Sequence, residues 1–287
     1  MFQSLKLGKV LGIDLYVHGT FWLLPLFIMF SGMSAGVDLA TTLTDIAFVF
    51  AIFTCVGLHE LGHAMAARAY GIGTRDITLY PLGGVASLER MPEKPGREIA
   101  IALAGPAVNV VIATTLLLGF VGAAYLTSWT PTEEASGIEM FLARVMVANI
   151  VLTVFNLLPC FPMDGGRVLR AVLASQLGRL RATEIAVGVG TVVALAFIGY
   201  GLYESHFGLI AVAVMVWLLG QAELAAVRFQ AGAREVRARV EEWFEGPTRD
   251  AGAPVSSGFS GLAWDDARRV WVQYRDGYVV RVIDSEK

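Results

Sequence analysis

Runs of apolar residues, each about as long as a helix needs to cross a hydrocarbon core, recur along this chain and leave few folds open to it. They fall at roughly residues 17–33, 46–69, 99–126, 140–160, 184–203 and 207–228. A segment inside lipid must satisfy its backbone polar groups internally, so helices are expected there rather than open strands. Composition agrees: 55% of the residues are hydrophobic and 16% charged, against about 25% charged in ordinary soluble domains. The expected class is an all-α polytopic membrane protein with about six transmembrane helices, integral to the cell (inner) membrane. The first run is the weakest, because its core at residues 21–30 is short and follows Lys6 and Lys9. It could be the apolar region of a signal peptide ending near Ser34 and Ala35. A retained helix is the favoured reading, since long spans follow directly and Pro25 is tolerable inside a bundle.

Lysine and arginine concentrate on cytoplasmic loops. Residues 34–45 contain neither, and 127–139 carry Glu133, Glu134 and Glu139 without a base. By contrast, 68–97 hold Arg68, Arg75, Arg90, Lys94 and Arg97, and 167–181 hold Arg167, Arg170, Arg179 and Arg181. The alternation puts both termini in the cytoplasm, with Arg228, Arg234, Arg237 and Arg239 marking the C-terminal side. Arg144, just inside the outer end of the fourth span, is the exception.

Four regions follow: a transmembrane domain over 1–229, an amphipathic surface helix over 230–245, a flexible linker over 246–261 and a C-terminal hairpin tail over 262–287. The surface helix rests on Ala233, Val236, Val240 and Phe244 at helical spacing, the hairpin on Asp276-Gly277 between apolar strands. After the second span, residues 77–88 mix β-branched residues with Gly83-Gly84 and read as short strands or a re-entrant hairpin, a membrane-associated β region. The net charge of −3 says little about partners, and no basic cluster is interleaved with aromatics, so nucleic acid is excluded. The two cysteines, Cys55 and Cys160, lie inside apolar segments, which excludes a disulfide framework and a cysteine-rich metal knuckle. Any metal must be held by histidine and carboxylate.

Inside the second span stands His59-Glu60-Leu61-Gly62-His63. Helix positions four apart share a face, so both imidazoles can reach one metal while Glu60 flanks it. Zinc suits this set, and Glu60 is placed as the catalytic base, taking a proton from the attacking water and passing it to the leaving amine. The alternative, three polar residues merely satisfied in a bundle, fits poorly, because ionisable groups at membrane depth are costly and two of the four histidines fall in five residues. A catalytic zinc usually takes three protein ligands, and the motif supplies two. His59 lies nine residues before Arg68, about 13 Å from the cytoplasmic end of its helix, so His206, Asp38 and Asp45 are on the wrong side. His18, Glu98 and Asp164 remain. Asp164 is favoured: it follows the fourth span at the cytoplasmic end, where Pro159, Pro162, Gly165 and Gly166 break the helix and let the carboxylate turn back. The competing role for Asp164 is a cap on the helix that starts at Gly165.

These residues resemble the site-2 protease family. The likeness rests on the motif at 59–63 and on the Asn-x-x-Pro-x-x-Pro-x-Asp-Gly segment at 156–165, extends through Leu82-Gly83-Gly84 and Ala104-Gly105-Pro106, and covers roughly residues 10–230. It implies one Zn2+ bound by His59, His63 and Asp164. It also implies cleavage of transmembrane protein substrates near the cytoplasmic face, membrane-bound transcription regulators or anti-sigma factors among them. Asn156, and with it Asn109, is implied to lie near the site, as donors to substrate or to a developing oxyanion; simple interhelical hydrogen bonding is the other reading. Read from the residues, Gly83 and Gly84 would let an extended substrate backbone approach and pair; a tight turn that merely needs glycine is the other reading. A second copy of the chain is a further partner to consider. From another class, a membrane transporter or sensor could hold an ion at the same three residues. It has less use for Glu60 and would favour a continuous polar path that the outer half does not offer.

Overall fold

The computed structural model describes residues 4–81, 83–90, 92, 94–127, 137–245, 258–266 and 269–283. Chain contacts divide it into two units, Met1–Gly232 and Ala233–Lys287. The first opens with strands β1 (Leu5–Val10) and β2 (Ile13–Val17), a 3-10 turn at Gly19–Trp22 and helix α1 (Leu23–Ser34). Helix α2 (Leu39–Ala69), strands β3 (Thr74–Tyr80) and β4 (Gly83–Leu88), and helix α3 (Pro95–Thr127) follow. Then come α4 (Gly137–Asn156), α5 (Asp164–Leu177), α6 (Arg179–Tyr203) and α7 (Phe207–Glu245).

Five helices are long and apolar enough to cross a membrane: α2, α3, α4, α6 and α7. The protein is a mostly helical integral membrane protein. Six spans were expected; the first apolar segment, Gly19–Ser34, is shorter than the other five and is not among the helices of membrane length. Asp38 caps α2 by accepting from the Thr41 amide at 2.9 Å, which starts the helix seven residues before the expected boundary at 46. At the other end of the fourth span the helix stops at Asn156 and not at 160, because Pro159 and Pro162 can neither donate within it nor fit it.

The larger correction concerns β structure. The region after α2 is half of a four-stranded sheet of order β1-β2-β3-β4, in which β2 and β3 run parallel and the outer pairs antiparallel. The N-terminal hairpin escaped the sequence reading because its two-residue turn is Leu11-Gly12. Both residues are left-handed, at φ 49° and 89°, where Asn-Gly is the recognisable signal. Ile13 and Ile77 of the sheet pack on Ala64, and Val17 and Leu79 on Phe53, so the sheet lies along α2. β1 and β4 are its two edge strands.

Helix α2 also packs closely on α3. A Cβ on Gly62 would come within 2.7 Å of the Ala104 carbonyl, so only glycine admits this approach. Residues 230–245, read as a separate amphipathic helix, continue α7 without a break, since their Ala, Arg and Glu content favours helix. In the second unit β6 (Val270–Arg275) and β7 (Tyr278–Ile283) form the hairpin across Asp276-Gly277. A third strand, β5 (Gly261–Asp265), pairs with β6, its Trp264 set against Trp271. The expected linker lies, over 246–257, outside the described residues.

Candidate metal centre

On α2, His59 and His63 stand one turn apart and project the same way, as their spacing dictates. Asp164 reaches them from the first position of α5; the cap position is Met163, so Asp164 is not the helix cap. His59 Nε2, His63 Nε2 and Asp164 Oδ2 lie 3.1 Å from one another in all three pairs. All three residues are buried, and among the described residues they form the cluster of histidine and acidic groups able to hold a metal. A tetrahedral zinc site with bonds of about 2.0–2.1 Å has ligand-to-ligand edges of about 3.3 Å, so this triangle fits one face of it.

Donor chemistry points the same way. His63 Nδ1–H donates to the Ile101 carbonyl at 2.7 Å, which turns the Nε2 lone pair toward the cluster. With His63 neutral, its Nε2 carries no proton, and His59 Nε2 is the donor left among the three contacts. Burial pushes the Asp164 carboxyl up, but the contacts to His59 and His63, with Arg167 adding to them, outweigh it and hold it below the usual carboxylate range. The group is therefore anionic, as a ligand must be.

Glycines clear the space. A Cβ on Gly105 of α3 would press on the Nε2 atoms of both histidines. Cβ atoms on Gly165 and Gly166 would strike the backbone of residues 157–158 and 160–161, so the pair lets the first turn of α5 lie against that segment and brings Asp164 inward. Glu60 is half-buried, with no hydrogen-bond or ion-pair partner among the described residues. Its side chain lies under β4, where a Cβ on Gly84 would meet Glu60 Cγ at 2.6 Å. Gly83, beside it, has φ 143°.

The other candidates are not members of this triangle. His18 Nδ1 meets Thr20 Oγ1 at 2.7 Å at the start of the 3-10 turn, and its ring stacks on Tyr80. Glu98 is taken by Arg170. Asn156 donates to the Leu152 carbonyl of its own helix at 3.0 Å. Asn109 is 1% exposed, and both its side-chain polar atoms lack a protein partner among the described residues.

Against known families, the model of Peptidase family M50 matches residues 47–197, a stretch that holds the histidine motif, β4, Gly105 and Asp164 together. The chain belongs to this family. Among curated M50-like relatives, a zinc metalloprotease of Methanocaldococcus jannaschii is 33% identical over 240 residues, which is 83% of this chain and 66% of that protein. Stage IV sporulation protein FB of Bacillus subtilis is 30% identical over 121 residues, 42% of this chain and 38% of that one. Matches to the first three relatives span about half to two thirds of their lengths. The solved site-2 protease from M. jannaschii superposes with a TM-score of 0.57 at 32% identity, over 77% of this chain and 95% of the other.

Within this M50 chain, sequence reasoning passed over two residues that the geometry brings to the centre, Gly105 and Ile101, and a third, Asn149, that is buried against Cys55. Gly105 was noticed only as part of the likeness, though a glycine amid Ala102, Ala104 and Ala107 signals close helix approach. The Ile101 carbonyl carries no side-chain signal at all. Asn149, fully buried on α4, donates to the Val145 carbonyl at 2.9 Å and contacts Cys55 Sγ at 3.3 Å; its signal was an amide inside an apolar span. Zinc quantification on purified protein should find Asp164→Ala and Gly105→Ala depleted of metal and His18→Ala loaded like wild type. Full loading of Gly105→Ala would contradict the close approach of α3 to the two imidazoles.

Proposed function

We propose that this chain is an intramembrane zinc metalloprotease. It hydrolyses peptide bonds in or near transmembrane segments of other membrane proteins, close to the cytoplasmic face. The observation that supports this most directly is the convergence of two imidazoles and one carboxylate beside an unpartnered glutamate, on a helix apolar enough to cross a membrane. His59, His63 and Asp164 hold one Zn2+ per chain. Bound there, zinc supplies Lewis-acid polarisation of the scissile carbonyl and acidifies water for attack. Glu60 accepts the proton from the attacking water and delivers it to the amide nitrogen as the C–N bond breaks, leaving a carboxylate and an amine.

A helical substrate must first be opened, because its carbonyls are already hydrogen-bonded. β4 is suited to hold it extended: it is an edge strand with unpaired backbone groups, and Gly84 brings that edge against Glu60. Gly83 and Gly84 form the substrate-facing stretch, with Asn156 and Asn109 as further polar contacts. The first apolar helix adds a sixth membrane element, and the Lys and Arg distribution sets both termini in the cytoplasm of a cell whose inner membrane holds the protein. Membrane-bound transcription regulators and anti-sigma factors are the substrate class to try first.

Glu60→Gln should keep near-stoichiometric zinc and fold, yet lose at least about 100-fold in cleavage of transmembrane peptides, since only proton transfer is removed. Equal cleavage by mutant and wild type would refute the mechanism. Proline placed singly at Val85, Ala86 and Ser87 tests the strand: at one position or more, cleavage of helical substrates should collapse while zinc content persists and an already extended peptide suffers less. Uniform tolerance at all three positions rules the strand out. Cysteines at Ala35 and Lys94, in a background lacking Cys55 and Cys160, should label from opposite sides of the membrane, with Lys94 cytoplasmic; labelling from one side would overturn the topology.

A further inference from the structure

Arg170 is a charged side chain that the proposed chemistry leaves unused, and it is 1% exposed. It lies on α5 six residues after Asp164, about 9 Å along the helix. Its Nε donates to Glu98 Oε1 of α3 at 2.8 Å, and Nη2 donates to the same oxygen. Nη1 donates to Glu223 Oε1 of α7 at 2.8 Å. The guanidinium carbon stands 4.8 Å from the centre of the Phe161 ring, three residues before Asp164. Phe161 is itself fixed, packed among Ala186, Val187 and Leu224 of α6 and α7. Glu98 lies three residues, close to one turn, before Ile101, whose carbonyl orients His63.

Burying Arg170 and Glu98, with Glu223 half-buried beside them, is expensive, and such a set is weak evidence for stability; its use is to specify geometry. That need exists here. Asp164 belongs to α5 and the two histidines to α2, yet their ligand atoms stand 3.1 Å apart, so the site exists only where α5 is held in place. Arg170 is placed to hold it. It ties α5 to the helix that orients His63, and through Phe161 it also touches the chain on the other side of Asp164. A lysine could carry the charge but not the fork of donors or the ring stack. We propose that Arg170 is a positioning residue that pre-organises Asp164 against His59 and His63 for metal binding, with Glu98 and Glu223 as its anchors. The proposal rests on the reading of those three residues as metal ligands.

The test uses the full chain in detergent, with Co2+ as the metal probe. It measures the dissociation constant by chelator competition, the d–d absorption of the bound ion, and the thermal stability of the metal-free protein. Arg170→Lys should bind Co2+ about 10–100-fold more weakly, with an altered d–d band, as outer partners of a metal site do when changed. Arg170→Met combined with Glu98→Gln and Glu223→Gln leaves no stranded charge. It should melt like wild type without metal yet show a comparable loss of affinity, so it decides the matter if Arg170→Lys does not fold. Wild-type affinity and spectrum in the triple variant would overturn the assignment, as would a loss of affinity matched by an equal loss of metal-free stability. Wild-type protein that takes up no Co2+ would overturn the metal reading itself and the assignment with it.

Discussion

Gathering two imidazoles and a carboxylate inside an apolar helix bundle is the constraint to which the rest of this structure answers. Polar groups at membrane depth are costly, and here three candidate ligand atoms from two helices stand 3.1 Å from one another. Side chains alone do not bring them together; backbones must come unusually close. Gly62 admits α3 to α2, Gly105 leaves room for both Nε2 atoms, and Gly165 and Gly166 press α5 onto the segment before it. At none of these positions is glycine needed for its dihedral freedom. Each is needed because a methyl group would occupy the place of a neighbour.

The third group of the cluster depends on helices that contribute nothing to it directly. Residues 157–163 leave helical geometry, and their Cys160 and Phe161 are wedged among α6 and α7, where Gly190 and Gly220 leave space for the Phe161 carbonyl. Irregular backbone at such depth is tolerated where protein packs around it. The last two spans therefore set where α5 begins, and so where Asp164 can reach. Arg170 ties the same helix to α3 and α7 through paired charges.

The sheet has a comparable double role. Ile13, Val17, Ile77 and Leu79 fasten it along α2, covering the helix that bears the histidines. Ordering the strands β1-β2-β3-β4 leaves β4 as the edge beside Glu60, with Gly84 as the point of closest approach. An unpaired edge is normally a liability that proteins cover. Beside a proposed general base it is a place where an opened substrate backbone could pair.

By itself the sequence determined the class, most of the spans and the chemistry. Apolar runs of membrane length permit little besides helices, and histidines four apart on a helix must share a face, so both conclusions are local. Asp164 was legible as well, since prolines and glycines around it could only break a helix near the right depth. What the tertiary structure decided was non-local. The N-terminal strands became visible only through their parallel pairing with β3, a contact across some 60 residues whose turn, Leu11-Gly12, lacks the usual residues. The Ile101 carbonyl that fixes the tautomer of His63 has no side-chain identity to read, and Gly105 looks in sequence like any small residue in a span. The joining of Arg170 to Glu98 and Glu223, 72 and 53 residues away, likewise depends on how three helices cross. Periodicity records which face a residue occupies; it does not record what stands opposite.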